Sequence, residues 1–498
     1  MAYIRTVETK SGARAVQIVW RYRQGSREIE HLGSAHTDAE WELLMAAARQ
    51  RLTQGQDVLP FDVPVMHSPM SLVVTGTRMG WLLDSISAGY QALGFHKAAG
   101  GDQVFEHLVT ARIIEPTSKV DAARVLGEAG IRAMSYRTVQ RRLPVYATRE
   151  WRDRISGACT ARADLGPSAL VLYDVTTLWF DTDTGDGFRE PGYSKERRLE
   201  PQITVGLLTD QTGRPLMIDA FEGNRGETKT IIPVVTRFVN TYGIAGVTVV
   251  ADAGMLSATN LEEIENQPGW TFIVAGRMAE IPPPIGEWLA THPGQEPANN
   301  LILTNQVVMG GPGHHRVRTV VYQYRADRAR RSLHGIDEQV RKAEKQVTGK
   351  ASVKRNRFVS ITGGTKTVNR DLETKARALA GWKSYITNIA NPDPATVISQ
   401  YHQLWRIEHS FRMSKHDLRA RPIYHHLKDS INAHLTIVFT ALAVSHWIEE
   451  HTRWSIKRFV KTLRRYRTVT INTGTNTLIA EDPLPDEIRT LLSYLPTH

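Results

Sequence analysis

The chain has 498 residues, 41% of them apolar and 23% charged, with a formal net charge of +11 and a pI of about 9.6. That length suits two to four globular domains, and the single cysteine, Cys159, excludes an internal disulfide and a cysteine-based zinc site and fits a reducing cytosol. The basic excess is uneven: residues 401–470 hold 13 Lys/Arg against 5 Asp/Glu, which favours a polyanionic partner, most simply nucleic acid.

Residues 3–32 alternate in strand fashion around turns at Ser11-Gly12 and Gly25-Ser26, so a small β meander is expected, followed by an amphipathic helix from Thr37 to Leu52. Pro60, Pro64 and Pro69 mark a linker, which closes a first region over 1–70. Residues 71–160 form a second region, helical over 75–155. Within it, Ser118 and Asp121 read as a capping box opening a short helix that Gly130 closes. Ser135 caps a second helix that Pro144 stops. Two short helices joined by a turn, the second carrying Arg137, Arg141 and Arg142, suit a helix-turn-helix with a basic recognition helix. An α-hairpin with a charged face has the same pattern.

From 161 to 276 the apolar runs become short and β-branched. SALVLYDVTTLWF, QITVGLLTD and PLMIDAF read as three strands, Glu227 to Tyr242 as a helix, GVTVVADAG as a buried strand, Asn260 to Asn266 as a helix and WTFIVAG as a fifth strand. This is an α/β unit on a five-stranded mixed sheet. Residues 277–392 break the pattern and read as an α+β insertion, with a charged helix from Asp327 to about Lys350. Asp393-Pro394 caps a helix expected to run to Leu418, within a region spanning 393–450. Ile431 to Ile448 is a second, largely buried helix. Its apolar run, Leu435 to Val444, is too short to span a bilayer. No signal-peptide core opens the chain. The tail, 451–498, is basic and carries Trp454, Phe459 and Tyr466, which suits a phosphate backbone.

On one continuous helix of 100° per residue, Tyr401, Glu408, Arg412 and Lys415 share a polar stripe beside Leu404, Ile407, Phe411 and Leu418. Three acids, Asp174, Asp252 and Glu408, each sit in apolar sequence. Burying carboxylates without a counter-charge costs several kcal/mol each, so a partner is required, and hard divalent ions are the natural one. Two Mg²⁺ (or Mn²⁺) ions about 4 Å apart suit an in-line phosphoryl transfer. Arg412 and Lys415 could then hold a phosphate, with Tyr401 and Arg406 as further candidate DNA contacts. Lys195, in GYSKER, is a further candidate DNA contact. His402, His409, His425 and His426 read as polar neighbours, Trp179 and Trp405 as core.

In these residues the chain resembles the RNase H-like DDE transposases of bacterial insertion sequences. The order Asp174, Asp252, Glu408 on an α/β unit looks like their triad, and Tyr401, Glu408 and Lys415 match the Y-(2)-R-(3)-E-(6)-K signature of the IS-four-like group. YDVTTLWF, GYSKERRLEPQITVGLL, FEGNRGET, VVADAGMLS, YITN and LRARPIYHH resemble that group's blocks over roughly 168–450. The signature Arg position holds Leu404, with Arg406 two residues on. The resemblance implies an RNase H-like core with an insertion domain before the Glu helix, and metal-dependent cut-and-paste transposition. It also implies binding to terminal inverted repeats and target DNA as a homodimer or higher oligomer, with no membrane. A stand-alone nuclease of the same fold, or a DNA-binding regulator with degenerate acids, would share parts of this pattern.

Overall fold

The computed structural model describes the chain except residues 1, 10–11, 22–26, 54–72, 133, 164, 166–168, 183, 193–198, 312, 314, 353–354, 363–364, 422, 424–426, 473–475 and 497–498. It divides into two compact units. A helical unit takes Met1–Arg162 and Arg412–His498, and a sheet unit takes Ala163–Phe411.

The helical unit opens with the expected antiparallel meander, β1 (Tyr3–Glu8), β2 (Arg14–Arg21) and β3 (Arg27–Ala35), backed by α1 (Asp38–Thr53). Val16, Ile18 and Ala48 form its small core. The expected linker over 54–69 lies outside the described residues. Then come β4 (Val73–Arg78), α2 (Gly80–Ala92), α3 (Phe95–Ala98), α4 (Gln103–Ile114), α5 (Ala122–Ala129), α6 (Tyr136–Ala147) and α7 (Arg149–Arg162). β4 is a strand where a helix was expected. Ser118 Oγ accepts the Asp121 N–H at 3.1 Å, but the Asp121 carboxylate is taken by Thr117 and Arg124. Gly130 closes α5 in the left-handed region, at φ 87°. Ser135 caps α6 through the Thr138 N–H. Pro144 does not stop α6, which continues to Ala147. Val139, Leu143 and Tyr146 bury one face of that helix, and this burial offsets the hydrogen bond that proline cannot donate.

The sheet unit holds β5 (Ala169–Trp179), β6 (Gln202–Asp210), β7 (Pro215–Glu222), a 3₁₀ turn (Glu227–Lys229), α8 (Ile231–Tyr242), β8 (Val247–Ala251), α9 (Ala258–Glu265) and β9 (Trp270–Gly276). Next are α10 (Pro283–Thr291), β10 (Ile302–Met309), β11 (Arg316–Tyr324), α11 (Ala326–Val347), β12 (Val359–Thr362), β13 (Thr365–Val368), α12 (Arg370–Ala378), β14 (Trp382–Thr387), α13 (Pro394–His402) and α14 (Leu404–Arg412). One eight-stranded mixed sheet runs in the order β10-β11-β14-β9-β8-β5-β6-β7. β8 pairs in parallel with both β5 and β9, and the other pairs are antiparallel. All five residues of β8 are buried, as a central strand covered on both faces requires. Val171, Phe272, Val234 and Phe238 sit in the core with them.

The sheet therefore has eight strands where the sequence pattern gave five. The 277–392 segment adds β14, β11 and β10 to the edge of β9. The reason is the open edge itself: β9 offers unpaired N–H and C=O groups, and β14 satisfies them from Thr387↔Ile273 to Ser384↔Gly276. The rest of the segment builds a small core of Ile336, Val340, Ala343 and Phe358 between α11 and the β12–β13 hairpin.

The C-terminal part of the helical unit starts in a π turn (Met413–Asp417) and continues with α15 (Lys428–Thr452), α16 (Ile456–Leu463), β15 (Thr468–Asn472), β16 (Thr477–Glu481) and α17 (Asp486–Ser493). α15 is long and apolar enough to cross a membrane by length and composition, yet 94% of its most apolar window is buried among the unit's own elements. β15 pairs with β4, which explains why residues 73–78 are a strand. Phe459, expected among the phosphate-facing aromatics, is fully buried, whereas Arg458 lies 3.7 Å above the Trp454 ring.

Candidate active site

The first two acids are set by strand register. In the parallel β5–β8 pair, Leu172 lies opposite Val250. The paired stretch ends there, two residues before Asp174 on β5 and two before Asp252, the first residue beyond β8, so both acids follow the C-terminal end of the parallel pairing. Neighbouring strands are about 4.8 Å apart, and the carboxyl ends of parallel strands are where α/β sheets place their sites. Each aspartate is steadied by the next peptide: the Val175 N–H donates to Asp174 Oδ1 and the Ala253 N–H to Asp252 Oδ1, both at 2.8 Å.

Tyr401, on α13, supplies the third contact. Its hydroxyl donates to Asp252 Oδ1 at 3.1 Å, which leaves Asp252 Oδ2 without a hydrogen bond among the described residues. α13 begins where expected, with the Asp393 carboxylate accepting the Ala395 and Thr396 N–H groups and Pro394 at the first position. The Tyr401 ring is buried against Tyr385, centroids 5.0 Å apart, and Lys383 Nζ lies 4.2 Å from its centroid and 5.5 Å from that of Tyr385. Burial pushes the Tyr401 phenol above its ordinary pKa, and the charge and hydrogen bond of Asp252, then Tyr385, then the Glu408 charge, push the same way. The phenol is thus held protonated as a donor. Burial lowers the Lys383 ammonium, as does Arg328, while Asp252 opposes them. Lys383 was not singled out from sequence. It is one cation in the strand WKSYIT, and only the pairing of β14 with β9 brings it to this site.

Glu408 lies on the exposed face of α14 and makes no ion pair among the described residues. The expected continuous helix is broken at Gln403, where α13 ends and α14 starts, and its last turn widens into the π turn. Lys415 falls in that turn, so the 100° step that put it on the Glu408 stripe does not hold there. The expectation that all three acids are buried is also corrected. Asp174 is only partly covered within β5, and Asp252 and Glu408 are exposed because one lies past the end of β8 and the other on the outer face of α14. Counter-charge is therefore not forced by burial. Among the described residues no group of three or more His, Cys, Asp or Glu converges tightly enough to hold a metal ion. Asp174 and Asp252 each lie two residues past the last parallel pair of β5 and β8.

The family model described as "Transposase DDE domain" matches residues 165–444. The chain belongs to that family. A search of curated proteins returned no match. The match spans all three acids of this DDE transposase, Tyr401 and Lys383, and it concerns the family as a whole rather than the IS-four-like group.

The expected DNA contacts of the transposase are placed as follows. Arg406 turns to the β6–β7 hairpin, bonding Gln403 Oε1 and the Thr212 carbonyl (3.3 Å), and Ser410 Oγ donates to the Gly213 carbonyl at 2.9 Å. This arginine anchors α14. Trp405, expected in the core, is 57% exposed, with Arg406 over its ring. Lys195, His425 and His426 lie outside the described residues. His402 contacts the Tyr385 hydroxyl at 3.2 Å, the polar neighbour expected. In the helical unit, Arg412 is exposed and Lys415 half-buried. Arg137 and Arg141 are exposed one turn apart on α6, whereas Arg142 is committed to Asp102, which also accepts from the Tyr146 hydroxyl at 3.0 Å.

Proposed function

We propose that this transposase cleaves and joins DNA at the ends of an insertion sequence, with Asp174, Asp252 and Glu408 as its catalytic acids. The observation that supports this reading is that Asp174 and Asp252 each follow by two residues the last pair of the parallel strands β5 and β8. Further support comes from the order β7-β6-β5-β8-β9, antiparallel then parallel, which is the arrangement expected of an RNase H-like core.

The donor set fits a divalent ion such as Mg²⁺ or Mn²⁺. Mg²⁺ is commonly held by one or two carboxylates together with water and substrate phosphate. Asp174 and Asp252 provide two, and Asp252 Oδ2 is open. Glu408, on an exposed face, would complete the set once DNA is present. A divalent ion bound there supplies positive charge to the scissile phosphate. The chain's own residues fix the geometry: the two backbone N–H groups and the Tyr401 hydroxyl hold the Oδ1 atoms, and Lys383 holds the Tyr401 ring. Cleavage would hydrolyse one phosphodiester bond: water adds to phosphorus, the 3′-oxygen leaves as a hydroxyl and a 5′-phosphate remains. That hydroxyl would then attack a target phosphodiester, forming one such bond as it breaks another and displaces a target 3′-hydroxyl, so no energy-rich cofactor is required.

In this reading α5 and α6 recognise the terminal inverted repeats through Arg137 and Arg141, the insertion segment is 277–392, and the assembly acts as a dimer or larger complex. The test is incubation of the protein with labelled DNA carrying the element's ends and Mg²⁺, with separation of nicked, hairpin and joined products. Ion-dependent nicking and joining at the ends supports transposition. Nicking without joining supports a nuclease, and binding with no cleavage a regulator.

A further inference from the structure

The insertion segment carries a strongly basic groove whose lining includes none of Asp174, Asp252 and Glu408. α11 is charge-segregated. On one flank two of its four acids are consumed: Asp337 pairs with Arg377 and Glu344 with Arg370, both at 2.6 Å, joining α11 to α12. On the opposite flank the helix faces two adjoining recesses, of about 690 and 430 Å³, that share Gln339 and Arg357. Their charged lining is Arg331, Lys342, Lys345, Arg355, Arg357 and Lys375, with no carboxylate. Arg331 is answered by Asp327 and Lys375 by Glu280. Lys342, Lys345, Arg355 and Arg357 are exposed and have no ion pair among the described residues.

Four unanswered cations along one groove repel one another, and a protein that needed only solubility would intersperse both signs. Of the four acids on α11, Asp337 and Glu344 are tied to α12, Asp327 to Arg331 and Glu338 to His334, and none is paired with these four cations. We infer that this groove is a second DNA-binding site, taking the phosphate backbone of duplex DNA without reading its sequence. The groove is open and extended and has no enclosed set of converging donors, so it suits a long polyanion rather than a small phosphate ester. The inference rests on the proposed action on DNA and adds a surface to it, one that would hold flanking or target duplex.

The test is a triple variant, Lys342→Ala, Lys345→Ala and Arg355→Ala, in the full chain. Equilibrium binding is measured across a salt series on two labelled duplexes, one carrying the element's ends and one of unrelated sequence. Each lost phosphate contact lowers the slope of log K against log[salt] by about 0.9, so the variant should lose up to about 2.7 on both duplexes. Its melting curve should match that of the parent, because the three side chains are exposed and unpaired. A slope within about 0.5 of the parent's on both duplexes would overturn the inference. If the parent binds the two duplexes equally, end recognition fails while the slope still decides the groove. If the parent prefers its ends and the variant keeps the parent's slope, the groove alone fails.

Discussion

The sheet unit handles acids in two opposite ways. Glu265, at the end of α9, is 5% exposed and gripped by Arg318 from β11 through two bonds of 2.9 Å. Asp252, at the end of β8, is exposed and is held only by a peptide N–H and a phenol, with no cation paired to it among the described residues. The first arrangement satisfies every formal charge and joins two elements. The second fixes the direction of a carboxylate while leaving its charge available. The acid that serves the fold brings its own cation, and the acid proposed for chemistry is oriented by neutral donors.

That contrast breaks first at Glu265. Glu265→Ala leaves the Arg318 guanidinium buried alone, and removing one partner of a buried pair costs about 3–5 kcal/mol. Urea unfolding should show that loss. Asp252→Ala should change stability by about 1 kcal/mol or less, as an exposed side chain does. Equal losses at the two positions would erase the distinction.

Arg142→Ala should cost about 1–3 kcal/mol, since the Asp102 side chain is 6% exposed and loses its cation. Arg137→Ala with Arg141→Ala should stay within about 0.5 kcal/mol and weaken binding to the element's ends more than to unrelated DNA. Unfolding curves and gel-shift titrations on the same proteins separate the two roles.

Tyr401→Phe removes the phenol that orients Asp252 and should slow cleavage about tenfold, equivalent to about 1.4 kcal/mol, without altering DNA affinity. Lys383→Met should have a smaller effect in the same direction. Single-turnover rates beside binding constants would show it, and an unchanged rate in Tyr401→Phe would make that hydrogen bond incidental.

The smallest effect is a pH dependence in the helical unit. His36 is lowered from 6.5 to about 4 by burial first and then by Arg467, Arg464 and Arg465. The unfolded chain therefore binds this proton more readily than the native one. Stability should fall as pH drops from about 6.5 towards 4, and His36→Gln should flatten that part of the profile.

Much of the sheet was legible because its strands are short β-branched runs between turn residues, and β5 to β9 fall where VLYDVTTLW, QITVGLLTD and VTVVA placed them. Pairing between distant segments was not legible. β4 joins β15 across about four hundred residues, and β14 joins β9 across a hundred, and neither leaves a periodic mark. The break at Gln403 carries no glycine or proline. Asp174 and Asp252 could be named from their strands, but their register neighbourhood needed the parallel pairing, and Lys383 had no sequence signal at all.

The most direct measurement compares the parent with Asp174→Asn, Asp252→Asn and Glu408→Gln in single-turnover cleavage of end-bearing DNA across a Mg²⁺ series. The account predicts ion-dependent cleavage by the parent, near-complete loss in each variant and DNA binding within about twofold, because each substitution removes a carboxylate charge rather than a DNA contact. Parent-like cleavage by Asp174→Asn or Asp252→Asn would contradict it.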